Sequence, residues 1–147
     1  MENLMGTILN PYISFRDTAR PALEFYQSIF GGELDLRPFA DFEFAKTDNA
    51  EDDNKIMHGH LRAPNGLNLM AADTPASMEW KGGTAISVTL SGDDKEEMTG
   101  YWEKLSEGAK IGEELAQAPW GDWFGMLTDQ FGVDWMVNID GAGAPSN

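Results

Sequence analysis

The chain has no cysteine, two histidines, and 10 lysines and arginines against 25 aspartates and glutamates. Without cysteine there is no disulfide framework, no thiolate nucleophile and no cysteine-ligated zinc or iron–sulfur centre. The formal charge of −15 leaves no basic footprint to neutralise phosphates, which argues against nucleic acid and an anionic membrane surface as partners. No stretch reaches the ~18 consecutive apolar residues of a membrane span. The start, Met1-Glu2-Asn3-Leu4-Met5-Gly6, has no basic segment leading into an apolar one, so no signal peptide is expected and a cytoplasmic protein is the default. With 147 residues, 41% hydrophobic, the chain is expected to form one domain with a real core.

A weak internal repeat organises it. Thr7 to Phe15 alternates as a strand, Asp17 and Thr18 offer N-cap chemistry, and Pro21 suits an early helical position. Ala22, Phe25, Tyr26, Ile29 and Phe30 recur at helical spacing before Gly31-Gly32 stops the helix. The second copy runs from Gly83 through Ile86, Val88 and Leu90 to a capping-box-like Asp94 and Glu97. Met98, Tyr101, Trp102 and Leu105 form its stripe, and Gly108 ends it. This spacing matches Ile13 and Phe15 with Val88 and Leu90, and Ile29 with Leu105.

Each copy continues as strands. Leu34 to Phe39 precedes an acidic stretch, 41–53, and then a hairpin with arms Ile56 to Arg62 and Leu67 to Ala72 turns through Pro64-Asn65-Gly66. The counterparts are Lys110 to Leu115, then Trp123 to Thr128 and Val133 to Ile139 around Asp129-Gln130-Phe131-Gly132. Both copies read β-α-β-β-β: module one covers about 7–73 and module two about 82–140. The expected fold is α+β, two modules with paired curved sheets and a cleft between them lined by apolar walls and a few polar groups.

Two constellations carry candidate chemistry. His58 and His60 lie two apart on one strand and therefore share a face, where they can act as proton-transfer, hydrogen-bonding or metal-binding groups. Two imidazoles fall short of the three protein ligands of a catalytic zinc, so Glu43, Asp73 or Asp122 would have to join them. A plainly structural pair of strand histidines fits the same spacing. The second constellation is Trp120, Asp122, Trp123 and Phe124, with Tyr12 from the other module. It suits a wall for a flat or partly apolar ligand, and equally core filling or a dimer interface. The acidic run Asp48 to Asp53 lacks the alternating ligands, central glycine and distant glutamate of a calcium loop.

Several segments together resemble a known family: Pro11-Tyr12-Ile13-Ser14-Phe15, the stretch Ala22 to Gly32, Ile56-Met57-His58, Leu69-Met70-Ala71-Ala72-Asp73, Trp120 to Gly125, and Thr128 to Trp135. The chain is similar to the PhnB-like branch of the vicinal oxygen chelate superfamily, which includes glyoxalase I, bleomycin-resistance proteins and extradiol dioxygenases. The resemblance implies the glyoxalase/bleomycin-resistance fold, a homodimer, and a divalent metal held by His, Gln or Glu at four strand positions. Carried onto this chain, those positions fall on Asn10, Ala85 or Ile86, Met70 and Met136, with Asn68 or Asn138 in a shifted register. None is a histidine or a carboxylate, so no metal or other cofactor is expected. Some members bear a demethylubiquinone methyltransferase label, which is set aside because no Gly-rich strand-to-helix turn supports methyl-donor binding. The resulting expectation is a protein that binds a small molecule between the modules. His58 is its candidate catalytic group, and Tyr12, His60, Trp120, Asp122, Trp123 and Phe124 are its candidate ligand-binding residues. A metal-dependent lyase, isomerase or dioxygenase is the alternative.

Overall fold

The computed structural model describes residues 9–41, 53–76, 78–80, 82–83 and 85–141. The chain divides into two compact units, 1–82 and 83–147. The first contains β1 (Tyr12–Phe15), α1 (Ala19–Phe30), β2 (Glu33–Pro38), β3 (Ile56–Arg62) and β4 (Asn68–Asp73). The second contains β5 (Val88–Gly92), α2 (Lys95–Leu105), β6 (Lys110–Gln117), β7 (Trp123–Thr128) and β8 (Asp134–Ile139). Each unit forms a four-stranded sheet, ordered β1-β4-β3-β2 and β5-β8-β7-β6. The α+β reading and the β-α-β-β-β repeat therefore hold.

In the first unit, Ala19, Ala22, Leu23, Tyr26, Ile29 and Phe30 line the buried side of α1, and Phe15, Ile56, Leu61, Leu69 and Ala71 bury the facing side of the sheet. In the second, Met98, Trp102 and Leu105 of α2 are buried with Leu90, Leu127, Trp135, Val137 and Ile139. Close helix–sheet approach is made at two glycines. A Cβ on Gly59 would stand 2.4 Å from Leu23 Cδ1, and one on Gly125 would stand 2.8 Å from the Trp102 ring and 3.0 Å from the Leu115 Cα. The registers put these glycines at equivalent places: Gly59 pairs with Ala71 as Gly125 pairs with Val137.

The helices start by different means. Asp94 caps α2 locally, accepting the Glu97 N–H at 3.1 Å, as its spacing predicts. Thr18 makes no side-chain cap bond. The buried Asp73 carboxylate at the end of β4 serves α1 instead: Oδ1 accepts the Ala19 N–H at 2.8 Å and Oδ2 accepts the Ile56 N–H at 2.9 Å. Asp73 is thus committed to backbone and is not available to complete a metal site. Gly31 and Gly108, with φ of 77° and 70°, follow the helices in the left-handed region as expected.

Boundaries shift in the first strand of each unit. β1 begins at Tyr12, and Leu9 before it is 96% exposed; residues 7 and 8 lie outside the described set. β5 begins at Val88, leaving Ile86 83% exposed. The registers also correct the internal match. Tyr12 pairs with Met70 and Thr89 with Met136, so Ile13 corresponds to Leu90 rather than to Val88. The helical match of Ile29 with Leu105 survives because the second strand-to-helix connection is one residue shorter, Asp93-Asp94 against Arg16-Asp17-Thr18. Asp41 ends a 3-10 turn after β2, and most of the acidic stretch, including Glu43, lies outside the described residues. Past β4, Trp80 Nε1 donates to the Ser14 carbonyl at 3.0 Å and an Arg16 Nη1 donates to that of Met78 at 3.0 Å, tying the segment to the edge strand β1.

Three outcomes follow from this packing. Asp73→Ala should cost about 2–3 kcal/mol in urea unfolding because it orphans two buried N–H donors, with Asp73→Asn costing less. Gly125→Ala should be more destabilising than Gly59→Ala, since a flexible leucine tip can turn aside while an indole and a backbone atom cannot; matched denaturation midpoints test the order. The Tyr101 phenol is held above its usual value by desolvation first, then by the charge and hydrogen bond of Glu97, then by Asp94. Folding therefore favours its protonated form. That contribution is complete below the unfolded value near pH 10 and is lost as pH rises through the folded value. Tyr101→Phe should flatten this alkaline loss of stability, and Glu97→Gln should lessen it without abolishing it.

Candidate functional site

Strand alternation separates the two faces of the first sheet. Gly59, Leu61, Leu69 and Ala71 face α1, so His58 and His60 lie on the opposite face. Cross-strand pairing extends that face: Asp35, His60, Met70 and Tyr12 form one row across β2, β3, β4 and β1, while Arg37 pairs with His58 in the next. Both imidazoles are half-buried, and Tyr12 at the edge is 51% exposed. The His58 ring centroid lies 6.1 Å from that of Tyr12, tilted by 46°, and 6.5 Å from that of His60, edge-on at 83°. Tyr12, His58 and His60 are thereby brought together.

The two imidazoles differ in their commitments. His60 Nε2 is 2.9 Å from Asn68 Oδ1, and Asn68 Nδ2 donates to the Gly66 carbonyl at 3.0 Å. The Gly66 carbonyl can only accept, so it orients the amide and leaves Oδ1 to accept from His60. Nε2 therefore carries the proton, and Nδ1 of the neutral ring presents a lone pair. Asn68 sits where it does because Asn65 and Gly66, with φ of 65° and 76°, turn the hairpin tightly. His58 has no hydrogen-bond partner among the described residues and is free to engage a ligand.

The second constellation is not gathered on one face. Trp123 pairs with Ile139, which pairs with Gly92, and so lies on the α2 side of its sheet with Lys95 Nζ 4.0 Å from its ring centroid. Phe124 pairs with Asn138, which pairs with Ser91, and lies on the other side. Trp120 is 66% exposed in a turn closed by Ala118 N–H to the Asp122 carbonyl at 2.7 Å. Asp122 Oδ1 accepts the Gly141 N–H at 3.0 Å, a structural bond holding the loop to the end of β8. Adjacent positions on a strand point to opposite faces, and that alternation separates Trp123 from Phe124.

At the superfamily's metal positions, Met70 pairs with Tyr12 and Met136 with Thr89, while Asn10, Ala85 and Ile86 lie outside the strands. Among the described residues no group of three or more His, Cys, Asp or Glu side chains is placed to hold a metal ion. The partnership of Asn68 with His60 has no local sequence signal. Eight positions separate the two residues, and only the hairpin register joins them.

No helix among the described residues is long and apolar enough to cross a membrane. Residues 7–138 match the family model described as 3-demethylubiquinone-9 3-methyltransferase. Protein YjdN of Escherichia coli K12 is 29% identical over 140 residues, spanning 89% of this chain and 94% of that protein. The crystal structure of PA1353 from Pseudomonas aeruginosa is 33% identical, covers 92% of this chain and 98% of its own, and superposes with a TM-score of 0.79. A putative 3-demethylubiquinone-9 3-methyltransferase, PhnB protein, from Bacillus cereus shares the fold at 20% identity and a TM-score of 0.70, covering 90% of this chain and 99% of its own. Glyoxalase/bleomycin resistance/dioxygenase proteins from Frankia and Burkholderia phytofirmans share it at TM-scores of 0.59 and 0.56. The chain belongs to the family of that model, and it shares its fold with the PhnB protein and with the glyoxalase/bleomycin resistance/dioxygenase proteins.

Proposed function

We propose that the protein binds a small neutral or cationic molecule on the face of the first sheet opposite α1, with His58 as the group that exchanges a hydrogen bond or a proton with it. The observation that carries the reading is the convergence of Tyr12, His58 and His60 on that one face, with His58 uncommitted while His60 is braced by Asn68. Tyr12 supplies a ring for stacking, His60 presents a fixed Nδ1 acceptor, and His58 can serve as a proton donor or acceptor. A formal charge of −15 disfavours capture of an anion. Phe124 contributes an apolar surface on the corresponding face of the second sheet. The homodimer that the resemblance implies and the cytoplasmic location expected from the sequence belong to the same reading.

Divalent-metal chemistry of the superfamily kind is not supported by the donor set, because thioethers, amides and alkyl groups stand at its positions and thioethers are poor ligands for hard divalent ions. Methyl transfer is not supported either. The strand-to-helix junctions Arg16-Asp17-Thr18 and Asp93-Asp94 form no Gly-rich turn to let backbone approach a nucleoside-bearing methyl donor.

Thermal-shift screening with neutral and cationic aromatic compounds tests the proposal. A compound that raises the wild-type melting temperature should bind the His58→Ala/His60→Ala double variant at least about tenfold more weakly, a loss of about 1.4 kcal/mol. Trp123→Phe, on the α2 side, should bind as wild type. Equal affinity for the double variant and the wild type would refute the site.

A further inference from the structure

We infer that His58, His60 and Met70 form a binding site for a soft monovalent ion, Cu(I) in the first instance. The site shares the Met70 position with the superfamily's divalent centre but differs from it in its other two ligands, which come from β3, a strand that holds none of those four positions.

The backbone places the three side chains together. His60 and Met70 are direct cross-strand partners, so their Cβ atoms stand about 4.5–5.5 Å apart on one face. His58 is the next residue along that face of β3, with its ring centroid 6.5 Å from that of His60. Two imidazoles bound to one ion at about 2 Å per nitrogen have centroids about 6 Å apart when nearly opposed, close to the separation found here. Cu(I) accepts such open two- and three-coordinate arrangements.

The hydrogen bonds around His60 point the same way. Metal-binding histidines commonly donate their second ring N–H to a fixed acceptor, which sets the tautomer and aims the free nitrogen. His60 Nε2 donates to Asn68 Oδ1 at 2.9 Å, and the Gly66 carbonyl holds Asn68 by a second bond at 3.0 Å. Nδ1 is left as the ligating atom. The thioether selects the ion, since sulfur without charge binds Cu(I) well and zinc, magnesium or manganese poorly. Two imidazoles and a thioether also bring no negative charge, which suits a monovalent ion better than a divalent one. The net charge of −15 favours cation approach over anion approach. Binding uses lone pairs only: no bond within the protein breaks and no electron moves.

The inference shares His58 and His60 Nδ1 with the small-molecule reading but does not depend on it, because the Met70 thioether and the copper ion have no part in that reading. The full chain, titrated anaerobically with Cu(I) and ascorbate against the chromogenic chelator bicinchoninate, should withdraw one copper ion per chain. The His58→Ala/His60→Ala double variant should withdraw none. Met70→Leu, which keeps volume, should bind at least about tenfold more weakly, and Asn68→Ala about 10- to 100-fold more weakly. Met126→Leu, in the second sheet, should behave as wild type. X-ray absorption at the copper edge should show two nitrogen neighbours and one sulfur. Failure of the wild type to compete, unchanged binding by the double variant, or a copper shell without sulfur overturns the site. Circular dichroism of each variant separates lost ligands from lost fold. Failure here leaves the thermal-shift comparison of the double variant intact, so the two readings fall separately.

Discussion

The first unit depends on one buried carboxylate. Asp73 ends β4, and its two oxygens accept backbone N–H groups from Ala19, the first residue of α1, and Ile56, the first residue of β3. A buried carboxylate is costly unless its lone pairs are satisfied, and an opening helix turn supplies unpaired N–H donors and a favourable dipole. The bond to Ala19 sets where α1 begins, and hence which of its residues reach the sheet. The bond to Ile56 pins the start of the strand that carries both histidines. With α1 laid over Gly59 and Leu61, the face bearing His58 and His60 is left for chemistry.

The two units reach one topology by unlike means. The second has no counterpart of Asp73, since Ile139 occupies the equivalent register position and Asp94 caps α2 from next door. Its buried carboxylate, Asp129, instead braces the β7–β8 turn by accepting from the N–H groups of Phe131 and Val133 and from Trp135 Nε1. The glycine that admits the helix is shared, but Leu23 fills it in one unit and Trp102 in the other. Register also equates His58 with Phe124 and His60 with Met126. The scaffold repeats, while the second hairpin bears apolar side chains where the first bears imidazoles. The candidate chemistry is accordingly one-sided.

Most of the fold is legible along the chain. Helical stripes ending at Gly31 and Gly108, the Asn65-Gly66 turn and the two-residue alternation of β3, β4, β7 and β8 are local signals with local causes. The errors fall where tertiary context overrides them. Apolar residues at Leu9 and Ile86 extend the alternating pattern beyond β1 and β5, yet a strand needs a neighbour as well as a pattern, and pairing begins only at Tyr12 and Val88. The cap of α1 was invisible locally because Asp73 is 54 positions from Ala19. The site was half legible. His58 and His60 share a face by arithmetic alone, whereas the clustering of Trp120 to Phe124 in sequence says nothing about faces.

By itself, the sequence determined the class of the protein: the repeat, the helix ends, the hairpins, the family resemblance, and the lack of histidine or carboxylate at the superfamily's metal positions. These follow from residue types and their spacing, which act within a turn or two of chain. Tertiary structure alone decided which residues meet. It placed Tyr12 and Met70 in the row of His60, assigned Asn68 to orient that ring, turned Trp123 away from Phe124, and gave Asp73 to the backbone. The physical reason is that strand register and buried hydrogen-bond partners are settled between segments far apart in the chain, where spacing carries no information.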